Sequence, residues 1–427
     1  MKLHWQIAIA LAVALALGIS IKLGGAQESA FAGGLTTTCV FLGDLFKNAL
    51  KMVIVPLIAA SIICGIMSLG SDRAFGRMGT KVLAYYSATG LIAILTGLVL
   101  VNIIRPGDVP LELAQQILGQ AETSEEFVQK FEGRDTSDLV NIFLRMLPPN
   151  IIHAATDNGQ LLGVIVFSLL FGFFINRLPD ALRDSQRNFW EGVQGVMMKI
   201  TDLIIKVAPV GVFGLVTPII IRTGFGAFEP LLWFVITVLL ALGFHYFISL
   251  GLMVKYIGRV KPSQHYRAMS PVMLMAFSTA SSAATLPVTM ETVKRDAGVS
   301  DRTASFTLPL GATVNMDGTA LYECVVVIFI GQIYGVLQGF EIGFATQFTV
   351  VLLALLTSVG VAGIPAASLV AITVILGVVG LPLEAVGLIW VTDRILDMCR
   401  TSVNVFSDTC GAVIIGRSEG ESGIYAR

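Results

Sequence analysis

The chain has 427 residues, 55% of them hydrophobic and only 13% charged, with a net charge of −1 and a mean hydropathy of +0.81. Soluble domains carry roughly 25% charged residues, so this chain cannot cover a water-facing surface and points to a bilayer as its solvent, while the near-neutral charge speaks against a nucleic-acid partner. Five scattered cysteines (Cys39, Cys64, Cys324, Cys399 and Cys410) make neither a disulfide framework nor a CxxC metal site, and the absence of HExxH and of a Walker A motif excludes a metalloprotease and an ATP-driven pump.

Apolar segments run at 5–23, 38–70, 82–104, 139–176, 191–221, 230–254, 271–292, 303–337, 344–378 and 386–416. At ~20 residues per crossing this allows about eight to ten spans, several of them tilted, broken or re-entrant. The first segment, with Lys2 ahead of it, can also be read as a signal peptide, but it is long enough to span and many spans follow. The polar stretches at 71–81, 176–187, 255–267 and 294–302 lean basic, whereas the stretch from Asp108 to Asp138 is acidic. The positive-inside rule therefore places the basic loops and both termini in the cytoplasm and the acidic loop outside.

That assignment leaves segment 271–292 between two cytoplasmic loops, and it is too short to cross twice. At its middle stands "STASSAATLP", a run of small hydroxyl residues ending in Pro287, which frees backbone groups. A re-entrant hairpin, its irregular tip buried in protein, resolves the conflict. "LTSVGVAGIPAAS" (356–368) interrupts segment 344–378 in the same way, with Gly360, Gly363 and Pro365. Two interrupted segments of opposite orientation are the mark of an inverted-repeat secondary transporter. The bland alternative is a pair of kinked ordinary helices.

The last segment holds "DRILDMCRTSVNVFSD". Asp393, Asp397, Arg400, Thr401, Asn404 and Asp408 fall within an arc of roughly 100° on a helix, and only Arg394 lies off it, where it can snorkel outward. A charge at the bilayer centre costs ~2.5–3.5 kcal/mol on insertion scales, so such a stripe is expected to face a site. An arginine fork suits a carboxylate, Asp397 suits an ammonium, and Thr401 and Asn404 can bond a second carboxylate. The set complements an acidic amino acid. The alternative is a structural ladder, Asp397–Arg400–Asn404, that glues helices together; if Asp397 and Arg400 are locked to permanent protein partners with no vacancy for a zwitterionic diacid between them, the binding reading fails.

A second cluster, "TLPLGATVNMDGTALYE" (307–323), puts Gly311, Asn315, Asp317, Gly318 and Thr319 in an apolar run. Glycine with Asn and Asp favours local unwinding, and freed carbonyls beside a carboxylate make an oxygen cage for an alkali cation, which Asp408 can close. The NMDG core lacks the later acidic ligands of a calcium loop. Glu323 is a candidate proton carrier, since removal from water favours the neutral form of a carboxylate; the bland reading is a protonated Glu bonded to helix carbonyls.

The motifs "SSAATLP", "NMDGTALYE", "GVAGIP" and "DRILDMCRTSVNVFSD", in this order, resemble the dicarboxylate/amino acid:cation symporter family, which includes the glutamate/aspartate transporters and the excitatory amino-acid transporters. The match covers almost the whole chain. The resemblance implies an all-α integral membrane protein of eight transmembrane helices plus two re-entrant hairpins with inverted repeats, assembled as a homotrimer in the plasma (cell inner) membrane and surrounded by its lipids. It implies scaffold helices 1–2 in 1–70, helix 3 of a mobile transport domain in 78–104, scaffold helices 4–5 with the acidic loop in 105–221, and helix 6 in 227–258. Hairpin 1 follows in 268–295, helix 7 with its NMDG break in 302–337, hairpin 2 in 344–378 and helix 8 in 386–417.

By motif match, Arg400 holds the substrate's side-chain carboxylate, Asp397 the amine, and Asp393 supports Arg400. Thr401, Asn404, Thr319 and the tip at Ala280, Ser281 and Ser282 complete the pocket, and the backbone at Gly363 and Ile364 gates it. Sodium positions match Gly311, Asn315, Asn404 and Asp408; Thr313, Met316, Ser358, Val359 and Val361; and Tyr86, Thr89, Asn315 and Asp317. Sodium is thus a co-transported ligand, and no other cofactor is implied. The chain departs from its relatives at Gly90, where they carry a hydroxyl, and at Ala280 and Met398, one or other of which is arginine in relatives. Glu323 matches proton- and potassium-coupled relatives. The expected function is elevator-type symport of glutamate or aspartate with sodium and protons. A C4-dicarboxylate or neutral amino-acid carrier is the alternative within the family, and an intramembrane protease or a channel the alternative outside it.

Overall fold

The computed structural model describes residues 3–26, 29–67, 73–118, 144, 146–156, 161–223, 228–339, 342–358 and 367–426. Among them every regular element is helical. Helices α1 (Leu3–Leu23), α2 (Ala30–Met67), α3 (Arg73–Ile104) and α4 (Leu111–Leu118) lead into the short α5 (Ile151–Thr156) and α6 (Leu161–Ile175). Then come α7 (Asp180–Lys206), α8 (Ala208–Thr223) and α9 (Phe228–Phe244), a π-helical turn (His245–Ser249) and α10 (Leu250–Tyr256). The second half holds α11 (Pro262–Thr279), α12 (Ser282–Arg295), α13 (Asp301–Val314), α14 (Asp317–Gln338), α15 (Phe344–Ser358), α16 (Ala367–Val379), a 3₁₀ turn (Leu383–Leu388) and α17 (Trp390–Ser418).

Among the described residues, three stretches are long and apolar enough to cross a membrane: Arg77–Ile104, Phe228–Tyr256 and Asp301–Gln338. The last is mostly buried within the protein and forms the axis of one packed group, in which α14 lies against α3, α15, α17 and α9. Around the same axis α11 and α12 pack on each other and on α17, and α13 packs on α12 and α17. A second group is built on α2, which holds α8, α6 and α7, with α1 against α8. At 38 residues, α2 is about 57 Å long, well beyond the ~30 Å hydrocarbon layer.

Some elements start elsewhere than expected. The polar stretch 176–187 is not a linker: α7 begins at Asp180, directly after Pro179, and an Arg183–Asp180 ion pair of 2.7 Å sits in its first turn. A helix can run on into water wherever its first turn is supported in this way. The interruption in segment 271–292 falls at Ala280, whose φ of 48° is left-handed, and Ser281 then caps α12 by accepting the Ala284 N–H at 3.2 Å. Pro287 lies inside α12 and does not end it, because the helix is already started by that cap and loses a single N–H at the proline. The break in segment 303–337 is narrow. Only Asn315 and Met316 leave helical geometry, with ψ of 92° and 49°, while Asp317, Gly318 and Thr319 already belong to α14. The tip of the 344–378 segment, with Val359, Val361, Gly363 and Ile364, lies outside the described residues, as does most of the acidic loop.

Candidate functional site

All six stripe residues of α17 are buried: Asp393, Asp397, Arg400, Thr401, Asn404 and Asp408. Their spacing puts them on one face, which meets α14 and the break before it through Tyr322, Asn315, Gly318 and Thr319, while α11 meets the opposite face at Ser402, Phe406 and Thr409. Arg400 has no exposed surface. Its Nη1 donates to Asp393 Oδ1 at 3.0 Å and its Nη2 to Asp397 Oδ1 at 2.9 Å, while its guanidinium lies 3.8 Å over the Tyr322 ring. Tyr322 Oη donates to the same Asp393 Oδ1 at 3.0 Å. Arg394, expected to snorkel, instead places Nη1 3.6 Å from Asp397 Oδ2, so Asp397 lies between two guanidiniums. The cause is helical spacing: residues three apart are neighbours, and a nearby carboxylate competes with the interface for the guanidinium.

Arg400 and Asp397 therefore bond each other, which the glue reading had foreseen in part. That reading also needs charges that join different helices. Here both carboxylate partners of Arg400 lie on its own helix, so the ion pairs hold no two helices together. Replacing a buried ion pair by well-packed apolar residues is often neutral or stabilising, so stability alone gives no reason for this constellation.

Besides the Tyr322–Asp393 bond, the bonds that cross between helices link the stripe to the break between α13 and α14. Asn404 Oδ1 accepts the Gly318 N–H at 2.7 Å, and Asn404 Nδ2 donates to Thr319 Oγ1 at 3.0 Å and approaches Met316 Sδ at 3.3 Å. Asn315 Nδ2 donates to Asp408 Oδ1 at 2.8 Å. Asp317 Oδ2 accepts Ser407 Oγ at 2.6 Å and meets His245 Nε2 at 3.1 Å. Gly318 is required here, since a Cβ at that position would stand 2.8 Å from the Arg400 carbonyl oxygen. Asp317 and Asp408 are both buried, and among the described residues neither pairs with a Lys or Arg. The side-chain oxygens Asn315 Oδ1 and Asp317 Oδ1 have no hydrogen-bond partner. Uncompensated buried carboxylates beside unused oxygens suit a hard cation.

Tyr86 sits at the same junction, its Oη donating to Thr307 O at 2.9 Å, and Thr89 turns its hydroxyl back to Tyr85 O at 3.1 Å. Thr313 and Ser358 likewise bond their own helices, to Leu310 O and Leu355 O, each at 2.8–2.9 Å. Ala280 and Ser282 are buried at the tip of the α11–α12 pair. Glu323, fully buried, accepts Thr357 Oγ1 on Oε2 at 2.8 Å and has no partner on Oε1. A cavity of about 390 Å³, lined by Asn102, Arg105, Gln332 and Gln347 among others, opens where α3, α14 and α15 meet and shares no residue with the stripe.

The sequence reading missed Tyr322, Ser407 and His245. Tyr322 directly precedes Glu323 and Ser407 directly precedes Asp408, so adjacency to a membrane carboxylate was a usable signal. His245 had none beyond being a lone imidazole in an apolar run.

The family described as "Sodium:dicarboxylate symporter family" matches residues 3–418. The chain is 31% identical over 380 residues to the Proton/glutamate-aspartate symporter of Escherichia coli (strain K12), covering 88% of this chain and 84% of that protein. It is 32% identical over 421 residues to the Proton/sodium-glutamate symport protein of Geobacillus stearothermophilus, covering 98% and 95%. It is also 32% identical over 414 residues to Excitatory amino acid transporter 3 of Mus musculus, covering 88% and 78%.

Proposed function

Because the chain belongs to the sodium:dicarboxylate symporter family, a family of membrane-integral transporters and not of enzymes, we propose that it carries L-glutamate and L-aspartate into the cell, driven by sodium and protons. The observation that carries this reading is the buried Arg400–Asp397 pair beside Asn404 and Thr319. An acidic amino acid can exchange into that pair: its ammonium replaces the guanidinium at Asp397, and its side-chain carboxylate replaces Asp397 at Arg400. Asp393 and Tyr322 keep Arg400 oriented through the exchange. Asn404 and Thr401 serve the main-chain carboxylate, with Thr319, Ala280, Ser281, Ser282, Gly363 and Ile364 completing the pocket.

One sodium binds at Gly311, Asn315, Asn404 and Asp408, another at Tyr86, Thr89, Asn315 and Asp317, and a further one takes Thr313, Met316 and Ser358, while Glu323 carries the proton. Importing an anion against a negative interior requires more than one co-transported positive charge, at ~2.3 kcal/mol per charge per 100 mV. The group built on α14, α17 and the hairpins moves as an elevator against the group built on α2, in a homotrimer of eight-span protomers. The site lies in a bacterial-type inner membrane with both termini cytoplasmic.

The test is uptake of labelled L-glutamate into proteoliposomes with the sodium, proton and potassium gradients varied one at a time. Accumulation should require sodium and rise with an inward proton gradient, and excess succinate should not compete. Absence of accumulation under every gradient, or full competition by succinate, would refute the reading.

A further inference from the structure

His245 takes part in none of the roles above, yet it is fully buried and bonded to a carboxylate of the break. Its Nε2 lies 3.1 Å from Asp317 Oδ2, and Ser407 Oγ donates to that same oxygen at 2.6 Å. The geometry fits an Nε2–H tautomer donating to the carboxylate oxygen, an acceptor that Ser407 also uses. Two donors thus converge on Oδ2, and Oδ1 is left without a partner. Beside Oδ1 stands Gly90, whose missing Cβ would lie 3.6 Å from it.

A second observation concerns the backbone. His245 opens the one π-helical turn among the described residues, His245–Ser249, between α9 and α10. Such turns are frequent at functional sites, and this one is held from outside: Tyr266 Oη on α11 donates to the Tyr246 carbonyl at 2.6 Å. Tyr266 is itself stacked on Phe406 of α17, with ring centroids 4.7 Å apart and 9° between planes. The backbone that aims His245 at Asp317 is therefore fixed by two neighbouring elements.

We propose that His245 is a positioning residue for cation coupling: it donates Nε2–H to Asp317 Oδ2 and, with Ser407, pins the carboxylate so that Oδ1 faces the cation. This rests on the reading of Asp317 as a cation ligand. A neutral imidazole is suited to the task. It orients the carboxylate and leaves its negative charge for the ion, whereas a Lys or Arg at this position would neutralise the carboxylate and repel the ion. Outer partners of this kind typically alter metal affinity by 10–100-fold.

The experiment compares native protein, H245L, H245Q, S407A and D317N in proteoliposomes and in detergent. The readouts are the half-saturating sodium concentration for glutamate uptake, the glutamate KM at saturating sodium, and the rise in Tm that sodium produces. Glutamine places an amide Nε2 at about the reach of the imidazole Nε2. H245L should raise half-saturating sodium by about tenfold or more, shift glutamate KM by less than about threefold, and blunt the sodium-dependent Tm rise. H245Q should restore both sodium readouts. If H245L does not fold, S407A, which removes the other donor, carries the same expectation in smaller degree. Native sodium dependence in H245L, or in S407A where that variant stands in, alongside a shifted D317N overturns the inference. Native sodium dependence in D317N overturns the cation reading of Asp317 and the inference with it.

Discussion

Asn315 donates its Nδ2 to Asp408 Oδ1 across 2.8 Å, and both side chains are buried. The bond joins Asn315, one of the two residues that leave helical geometry between α13 and α14, to the distal end of the α17 stripe. One end of the stripe is thus tied to the break, while at the other Asp393 accepts Tyr322 Oη of α14 and the Arg400 ion pairs stay on α17. On the proposed reading, a guest that displaces the Arg400–Asp397 bond would act within a few turns of the break proposed to hold the ions, which would give coupling a short physical path.

Arg400→Lys keeps the charge but loses the planar fork that spans Asp393 and Asp397 and stacks on Tyr322. Losing a partner of a buried charge pair costs about 2–5 kcal/mol. The variant should lower kcat/KM for glutamate uptake by about 100-fold while still inserting and folding. Native-like uptake kinetics in R400K would remove Arg400 from the substrate site.

Glu323→Gln preserves shape and can still bond Thr357, but it has no proton to release. At a fixed inward sodium gradient, native protein should take up glutamate faster when the outside is made acidic, and E323Q should not respond. An equal response in both would rule out Glu323 as the proton carrier.

Gly90→Ser adds a hydroxyl where a Cβ meets only Leu355 Cδ1 at 3.4 Å and Asp317 Oδ1 at 3.6 Å, ordinary contacts. The new oxygen adds a ligand at the side of Asp317 that has none, and replacing a mid-helix glycine costs no helix stability. Half-saturating sodium should fall by about threefold, the size of one modest oriented contact. A rise would mean that the space beside Gly90 serves something other than the ion.

Gly311→Ala is expected to fail. Its Cβ would overlap Asp408 Oδ1 and lie 2.6 Å from Tyr86 Oη, pushing Asp408 away from Asn315. Overpacking of this kind costs about 1–3 kcal/mol. The purified variant should melt earlier and lose sodium-dependent stabilisation; a native-like Tm rise with sodium would show that the Asn315–Asp408 bond is dispensable for the ion.

Glu419 anchors the C-terminal tail to α3, accepting Lys81 Nζ at 2.6 Å and Arg77 Nη2 at 3.0 Å. Lys81 first, and then Arg77, hold its carboxyl below the ordinary value of 4.5. A carboxyl lowered by folding stabilises the folded form above its unfolded pKa and loses that contribution as pH falls through the folded one. Amide exchange at Tyr425, whose N–H bonds Ala297 O at 2.9 Å, should therefore lose protection, after correction for intrinsic rates, only as the pH drops below the ordinary range. E419Q should show that loss already at neutral pH; unchanged protection in E419Q would mean that other tail contacts carry the docking.

The membrane solvent, the one-sided stripe of α17 and the interruptions near residues 280 and 315 were legible in the residue order. Each depends on composition or on local spacing: a 3.6-residue period sets which side chains share a face, and glycine with Asn or a hydroxyl run weakens a helix wherever it stands. Folding in space decided the partners. Asn404 meets the Gly318 N–H, Tyr322 meets Asp393 and His245 meets Asp317 because α9, α14 and α17 pack at particular rotations and depths. Those rotations come from the summed packing of many apolar side chains, and no local pattern carries them. Local spacing likewise left open whether Arg394 would turn to the interface or to Asp397, since both lay within its reach; packing turned it to the carboxylate.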